Sequence, residues 1–260
     1  MAVTAQSQGA WLRWSARQCL PSSAVQAIPA ALLPPGWQAG VADSGLAIGF
    51  DRPICCLSSA VVGGGWTEPQ GFANRHVGDS DRAALNTPAG LAADFASGRG
   101  LAANHVGMLT AASMRSLRVA AVDIENERLC VFVTAGLSNA RRAGDAADCD
   151  ALRPGPCDPG TINLALATTL SLTSAAQVET LAMLTEAKAA ALQALDIRSP
   201  VSDQVATGTG TDATAVFCAG DGEPLPYTGK HTLFGEYAAR LVIDALTDAI
   251  QPDARWADGC

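Results

Sequence analysis

A lysine set inside an apolar pattern is the first sign of chemistry in this sequence. Residues 160–188 read GTINLALATTLSLTSAAQVETLAMLTEAK. At about 100° per residue, apolar side chains gather on one side of a helix here, namely Val178, Leu181, Leu184, Leu192 and Leu195. Lys188 lies in the same stripe, where a cation is costly unless it is paired or reaches water. We therefore predict that Lys188 pairs with a carboxylate such as Asp212, and that Glu186 lies at the edge that meets substrate.

Further candidate groups lie in loops next to predicted strands. The run ATGTGTD, residues 206–212, offers hydroxyls, backbone N–H groups and the carboxylate of Asp212. A second loop, residues 134–145, carries Asn139 and Asp145 just past a predicted strand. Three glycines at 63–65 follow Ser58 and Ser59, and they indicate either backbone donors close to a ligand or simply a sharp turn.

The elements that must position these groups can be assigned from the periodicity. Residues 161–172 read as a buried strand, and Ser174 with Gln177 forms a capping-box pattern that starts a helix over 174–196. Other predicted helices cover 88–98 and 232–250, and a hairpin joins 117–124 to 129–136. Because strands and helices alternate only in the second half, we predict an α/β (or α+β) single domain, with a mixed β-sheet covered by helices. Residues 45–250 form this domain, and residues 1–44 are an N-terminal extension of unknown role.

Composition limits the classes of partner. The 260 residues are 48% hydrophobic, and the net charge is −8. Binding to nucleic acid needs a basic face, so we expect a small-molecule partner instead. No run reaches the roughly 20 apolar residues of a membrane helix, and the first thirty residues lack a signal-peptide core. These features predict a cytoplasmic protein without membrane association.

Metal and nucleotide sites are not favoured by the spacing of their usual ligands. The eight cysteines include no C-x-x-C pair, and there are only three histidines. We expect reduced, mostly buried thiols, although Cys149 and Cys157 are close enough in sequence to be bridged. The segment 222–232 resembles a phosphate-binding loop, but six residues separate its glycines and His231 follows Lys230. That pattern needs four residues, and then Ser or Thr after the lysine.

Six segments considered together point to a family. They are LSSAVVGGG at 57–65, TAGLSNARRAGD at 134–145, GTINLAL at 160–166, TEAK at 185–188, ATGTGTDA at 206–213 and YTGKHTLFGE at 227–236. In order and character they resemble the adenosylcobinamide amidohydrolase family of corrinoid salvage enzymes, over about residues 45–245. The resemblance implies hydrolysis of the amide that joins the corrin propionate to aminopropanol, which gives adenosylcobyric acid for cobamide synthesis. It implies no cofactor, because the corrinoid substrate itself carries cobalt.

Amide hydrolysis requires a nucleophile, stabilisation of an oxyanion and a proton for the leaving amine. We expect attack by water with Glu186 or Asp212 as general base, while Lys188 or His231 stabilises charge or protonates the amine. The predicted substrate-binding residues are Ser58, Ser59, Gly64, Asn139, Asn163 and Thr209. A covalent route through Ser59 ranks second and a metal-assisted route third. The alternative function is a corrinoid-binding or carrier protein without turnover, since the same polar loops can grip a corrinoid.

Overall fold

The computed structural model describes residues 11–17, 24–78, 81, 87–149, 152 and 161–252. Within these residues the strands form a seven-stranded sheet, a five-stranded sheet and a two-stranded ladder. The strands are β1 (Leu12–Ser15), β2 (Gln26–Ala27), β3 (Trp37–Ala42), β4 (Gly45–Phe50), β5 (Cys55–Ser58), β6 (Gly65–Thr67), β7 (Gly71–His76), β8 (Val106–Thr110), β9 (Arg118–Ile124), β10 (Glu127–Ala135), β11 (Ala140–Arg141), β12 (Ile162–Thr168), β13 (Gly208–Thr209) and β14 (Ala213–Cys218). The helices are α1 (Pro88–Gly98), α2 (Ser174–Ala194) and α3 (Leu233–Ile250).

The larger sheet has the strand order β1-β9-β10-β12-β14-β5-β6. Its neighbouring strands are antiparallel except for β12 and β14, which are parallel and are joined through α2. The smaller sheet has the order β2-β3-β4-β7-β8, and only β7 and β8 are parallel. Because parallel neighbours need a crossover connection, α2 lies against one face of the larger sheet.

Both faces of the larger sheet are buried. On β10, Cys130 and Phe132 pack toward the smaller sheet, whereas Val131 and Val133 pack toward α2 and α3. On the far side of the smaller sheet, α1 packs against β7 and β8. The described residues therefore form four layers, in the order α1, smaller sheet, larger sheet, and α2 with α3.

The predicted class is confirmed, as mixed β-structure is covered by helices. The sequence did not reveal that the strands divide between two sheets. The predicted run at 46–65 contributes to both, because β4 belongs to the smaller sheet and β5 to the larger one. The segment 1–44 also supplies strands to both sheets, since β1 pairs with β9 and β3 pairs with β4. In the described residues this segment is therefore continuous with the fold.

Helix α2 differs in detail from the expectation. Thr173 caps it by accepting a hydrogen bond from the Ala176 N–H at 3.1 Å, so the predicted Ser174 cap was wrong by one residue. Gln177 is buried, and its amide donates to Cys55 Sγ at 3.1 Å instead of completing a capping box. Val178 is 47% exposed, because the buried face is centred on Leu184 and includes the small residues that pack against α3.

The hairpin between β9 and β10 is confirmed. Glu125 and Asn126 form its two-residue turn with φ values of 53° and 71°. Positive φ at both turn positions matches the right-handed twist of the flanking strands. The strand predicted at 161–172 ends earlier, at Thr168, because the hydroxyl of Thr168 accepts a hydrogen bond from the Leu170 N–H at 3.1 Å and turns the chain.

Candidate active site

Lys188 and Asp212 form an ion pair at the end of the larger sheet where β12 and β14 begin. Lys188 Nζ lies 2.5 Å from Asp212 Oδ2, and the two side chains are only 8% and 11% exposed. The pairing predicted from the apolar stripe is therefore present. In so buried a place the attraction between the charges is strong, and removing either partner would leave an uncompensated charge.

Asp212 also organises the turn before β14. Its Oδ1 accepts hydrogen bonds from the Ile162 N–H at 2.9 Å and from the Thr209 hydroxyl at 2.5 Å. Its Oδ2 accepts the Thr209 N–H at 3.0 Å, in addition to Lys188. These donors occupy the roughly four acceptor sites of a carboxylate. Asp212 is thus fixed in position, and Thr209, whose hydroxyl donates to it, is a half-buried residue.

A glycine is required next to this ion pair. A Cβ atom at position 208 would lie 2.4 Å from Asp212 Oδ2 and 3.0 Å from Lys188 Nζ. Gly208 and Thr209 form β13, which pairs with β11 and holds the loop of Asn139 against the turn. The Gly210 N–H donates to the Asn139 carbonyl at 3.3 Å. The Thr/Gly run therefore has a structural reason that the sequence alone did not show.

A network of buried amides lies on the opposite face of the same strand end, between the two sheets. Asn163 Nδ2 donates to Asn74 Oδ1 at 2.8 Å and to the Leu109 carbonyl at 2.9 Å. Asn163 Oδ1 accepts the Ala213 N–H at 3.3 Å. Asn74 Nδ2 in turn donates to the Thr134 hydroxyl at 3.0 Å. Asn163 is therefore fixed by protein partners, which suits a residue that holds the strands in place.

Sequence reasoning missed several polar residues of this strand end. Asn74 and Thr134 were not linked to Asn163, although Thr134 lies directly opposite Asn163 in the ladder of β10 and β12. Thr161 was also missed, and its hydroxyl lies 2.8 Å from the hydroxyl of Thr211. Alternation along a strand was the available signal for Thr161, which is buried and two residues from Asn163.

Ser58 and Ser59 occupy different environments at the end of β5. Ser58 is buried, donates its hydroxyl to the Gly63 carbonyl at 3.1 Å and accepts the Ala60 N–H at 3.1 Å. Ser59 is exposed, and its Oγ accepts the Thr214 N–H at 3.0 Å. Gly64 is exposed, and a Cβ there would lie 2.7 Å from the Ala60 carbonyl oxygen. The glycine at 64 thus fits the tight-turn interpretation, and only Ser59 of the pair presents a side chain to solvent.

The structure places Glu186 and His231 away from the buried ion pair. Glu186 pairs with Lys230, and these side chains are 56% and 70% exposed. His231 is exposed next to Tyr227, with ring centroids 6.4 Å apart. On α2, two residues correspond to about 200°, so Glu186 and Lys188 face in opposite directions. The predicted catalytic roles of Glu186 and His231 stay predictions, and their geometry does not bring them to Asp212.

Thiols and possible metal ligands are scattered. Among the described residues, no group of three or more His, Cys, Asp or Glu side chains is arranged to hold a metal ion. Cys56 and Cys130 are buried free thiols whose pKa values are raised mainly by desolvation. Burial likewise raises the pKa of Cys218 to about 12. The possible partner of Cys149, Cys157, lies outside the described residues.

The fold consists of two stacked mixed sheets between outer helices, and a buried Lys–Asp pair lies where two parallel strands begin. These features define an α/β protein with a polar centre at one sheet end. The family model described as adenosylcobinamide amidohydrolase (CbiZ) matches residues 37–257. The chain therefore belongs to the adenosylcobinamide amidohydrolase family.

Similar proteins cover parts of the chain. An uncharacterised protein of Methanocaldococcus jannaschii, MJ1613, is 36% identical over 54% of this chain and 60% of its own length. The adenosylcobinamide amidohydrolase of Halobacterium salinarum is 35% identical over 48% of this chain and 54% of its own length. The chain thus matches little more than half the length of these relatives.

Among solved structures, a β-aminopeptidase of Burkholderia sp. is similar with a TM-score of 0.39 and 13% identity, over 82% of this chain and 80% of that one.

Within the described residues, no helix is long and apolar enough to cross a membrane.

Proposed function

We propose that the chain hydrolyses the amide bond of adenosylcobinamide, giving adenosylcobyric acid and aminopropanol. The observation that carries this proposal is convergence at one sheet end. Family segments that are far apart in sequence supply its polar groups. Ser59, Lys188, Thr209 and Asp212 lie on the side of α2. Thr134 and Asn163 lie on the side of the smaller sheet, and Asn139 lies in the adjoining loop. Each of these residues lies within the range matched by the family model. The segment 227–236 is the exception, since it lies beside Glu186.

Water is the proposed nucleophile, and Asp212 is the proposed base, acting through Thr209. The Thr209 hydroxyl donates to Asp212 Oδ1 at 2.5 Å. As water attacks the carbonyl carbon, its proton passes to Thr209 Oγ1 while the Thr209 proton passes to Asp212. When the C–N bond breaks, the Asp212 proton returns to Thr209 Oγ1 while the Thr209 hydroxyl proton passes to the departing amine, so that the acid, the amine and the original side chains result. A relay of this kind suits a carboxylate whose acceptor sites are all occupied.

Lys188 is the proposed source of positive charge for the oxyanion. Its ammonium has three N–H donors, and one is directed to Asp212. Burial makes such a charge more effective than it would be in water. Asp212 holds the ammonium at one place, so that little reorganisation is needed when negative charge develops. The protein is proposed to need no added metal or cofactor.

The direct test is to incubate the purified protein with adenosylcobinamide and to follow adenosylcobyric acid and aminopropanol by mass spectrometry. The proposal predicts that both products appear in equal amounts and that treatment with a chelator leaves the rate unchanged. Tight binding without product would reject hydrolysis and favour the carrier alternative. A rate lost on chelation and restored by one divalent metal would reject the metal-free route.

The covalent alternative through Ser59 is tested separately. Ser59→Ala removes the exposed hydroxyl but leaves Asp212 and Lys188 in place. Water attack predicts that this variant keeps kcat within about tenfold, because Ser59 then serves only in binding. A loss of about 1,000-fold or more, together with a burst of aminopropanol in the wild type, would instead support an acyl-enzyme on Ser59.

A further inference from the structure

Trp66 is a large aromatic residue that remains exposed near the candidate site. It lies on β6, the short edge strand of the larger sheet, and is 56% exposed. Isolated exposed aromatics are common on protein surfaces. The position of Trp66 relative to α2 and to the ion pair distinguishes it from such isolated residues.

Strand register shows which face of the sheet Trp66 occupies. Trp66 lies opposite Leu57, and Leu57 lies opposite Val216. Val216 belongs to the apolar cluster under α2 and α3. Since directly opposed residues of an antiparallel pair point to the same face, Trp66 shares the helix-covered face of the sheet with Val216. Along β14 the same face continues through Thr214 to Asp212, which meets Lys188 of α2.

Helix α2 leaves part of this face open. It packs over β14 and β5, and β6 is the next strand beyond them. Angles around the α2 axis are counted from Leu184, which is buried against the sheet. Lys188 and Leu181 lie about 40° and 60° from it on one side. Thr185 and Val178 lie about 100° and 120° from it on the same side. Glu179 and Glu186 lie on the other flank, where they contact Thr228 and Lys230.

We refer to the open part of this sheet face, at the edge of the larger sheet, as the groove. One wall is the α2 flank of Val178, Leu181 and Thr185, and the other is Trp66. The floor contains Leu57 and the exposed Ser59, whose Oγ is bound to the Thr214 N–H. Two strand spacings across and four residues along the strand separate Trp66 from Asp212, which corresponds to about 16 Å. This distance fits a macrocycle with side chains better than it fits a small amide.

We propose that this groove binds the apolar rim of a corrinoid ring, with Trp66 as the specificity-determining contact. The ring's amide side chain would then extend along β5 and β14 to Lys188 and Asp212. The inference rests on the proposed function, because the corrinoid is its substrate. A corrin rim carries methyl groups between amide side chains, so an indole face beside a serine hydroxyl offers both kinds of contact that it needs.

The test compares Trp66→Ala with Tyr227→Ala. Tyr227 is 65% exposed, but it lies next to His231 on the far flank of α2, so it is a matched control for the loss of an exposed aromatic. Binding is measured by equilibrium dialysis, with the absorbance of the corrinoid as readout. We expect Trp66→Ala to weaken binding of adenosylcobinamide and cyanocobinamide alike by about tenfold, and to raise KM while kcat stays within about twofold. Trp66→Phe should recover most of the affinity, and Tyr227→Ala should bind like the wild type.

Several results would overturn the groove. Equal binding by Trp66→Ala and the wild type would reject it, as would an equal loss in Tyr227→Ala. An effect confined to adenosylcobinamide would assign Trp66 to the adenosyl group rather than to the corrin rim. Turnover separates this inference from the proposed function. If the wild type binds corrinoid through Trp66 without releasing product, hydrolysis fails and the groove stands. If the wild type releases product but Trp66→Ala binds normally, the groove fails and hydrolysis stands.

Discussion

Two lysine–carboxylate pairs on opposite flanks of α2 show how burial changes the meaning of the same chemistry. Lys188 and Asp212 are 8% and 11% exposed, whereas Lys230 and Glu186 are 70% and 56% exposed. An exposed pair typically contributes about 0–1 kcal/mol, since water and salt screen it. Breaking a buried pair by removing one partner costs about 3–5 kcal/mol. The inner pair, Lys188 with Asp212, can therefore keep a charge fixed and desolvated for a reaction. The outer pair, Lys230 with Glu186, has the same residue types, but they do not give it that role.

Asp212→Asn is expected to have the largest effect of the substitutions in the two pairs. This change removes the proposed proton acceptor and leaves Lys188 without its counter-charge, so we expect kcat for adenosylcobinamide to fall by about 1,000-fold or more. Initial rates of adenosylcobyric acid formation measure the effect, and a circular dichroism spectrum shows whether the variant is folded. A folded Asp212→Asn protein with near-wild-type kcat would remove Asp212 from the mechanism.

Lys188→Met tests how much more the buried pair contributes to stability than the exposed pair. It leaves the Asp212 carboxylate buried without its cation, and we expect the free energy of unfolding to fall by about 3 kcal/mol in urea titrations. The matched variant Lys230→Met should change it by less than about 1 kcal/mol. The double variant Lys188→Met/Asp212→Asn should recover part of the loss, because it removes the uncompensated charge. Equal losses in the two single variants would show that burial does not distinguish the pairs.

Gly208→Ala tests the space around the inner pair. Its new Cβ would meet Asp212 Oδ2 at 2.4 Å, so the carboxylate or the turn must shift. We expect a loss of about 1–3 kcal/mol in unfolding free energy and a decrease in kcat of about tenfold or more, as the pair moves out of position. Gly222→Ala is the control, since nothing lies within 4 Å of a Cβ at that position. If both variants behave like the wild type, the turn is more adaptable than the geometry implies.

The residues that sequence reasoning placed correctly were those that broke a local pattern. Lys188 stands in an apolar stripe, and a cation in such a place needs a partner whatever the fold. Asn163 could not be interpreted in this way, because its partner Asn74 is 89 residues away and belongs to the other sheet. The division into two sheets was hidden for the same reason. Strands buried on both faces show runs of apolar residues that do not say which layer each face meets.

Glu186→Gln is expected to have the smallest effect, and it tests whether the outer pair takes part in the reaction. The sequence placed Glu186 beside Lys188 as a candidate base, but a step of two residues turns it to the other flank of α2, where it meets Lys230. We therefore expect kcat and KM within about twofold of the wild type and a change in unfolding free energy of less than about 0.5 kcal/mol. Parallel assays of Glu186→Gln and Asp212→Asn make the measurement. A loss in Glu186→Gln that approaches that of Asp212→Asn would return Glu186 to the reaction and would mean that substrate reaches the outer flank of the helix.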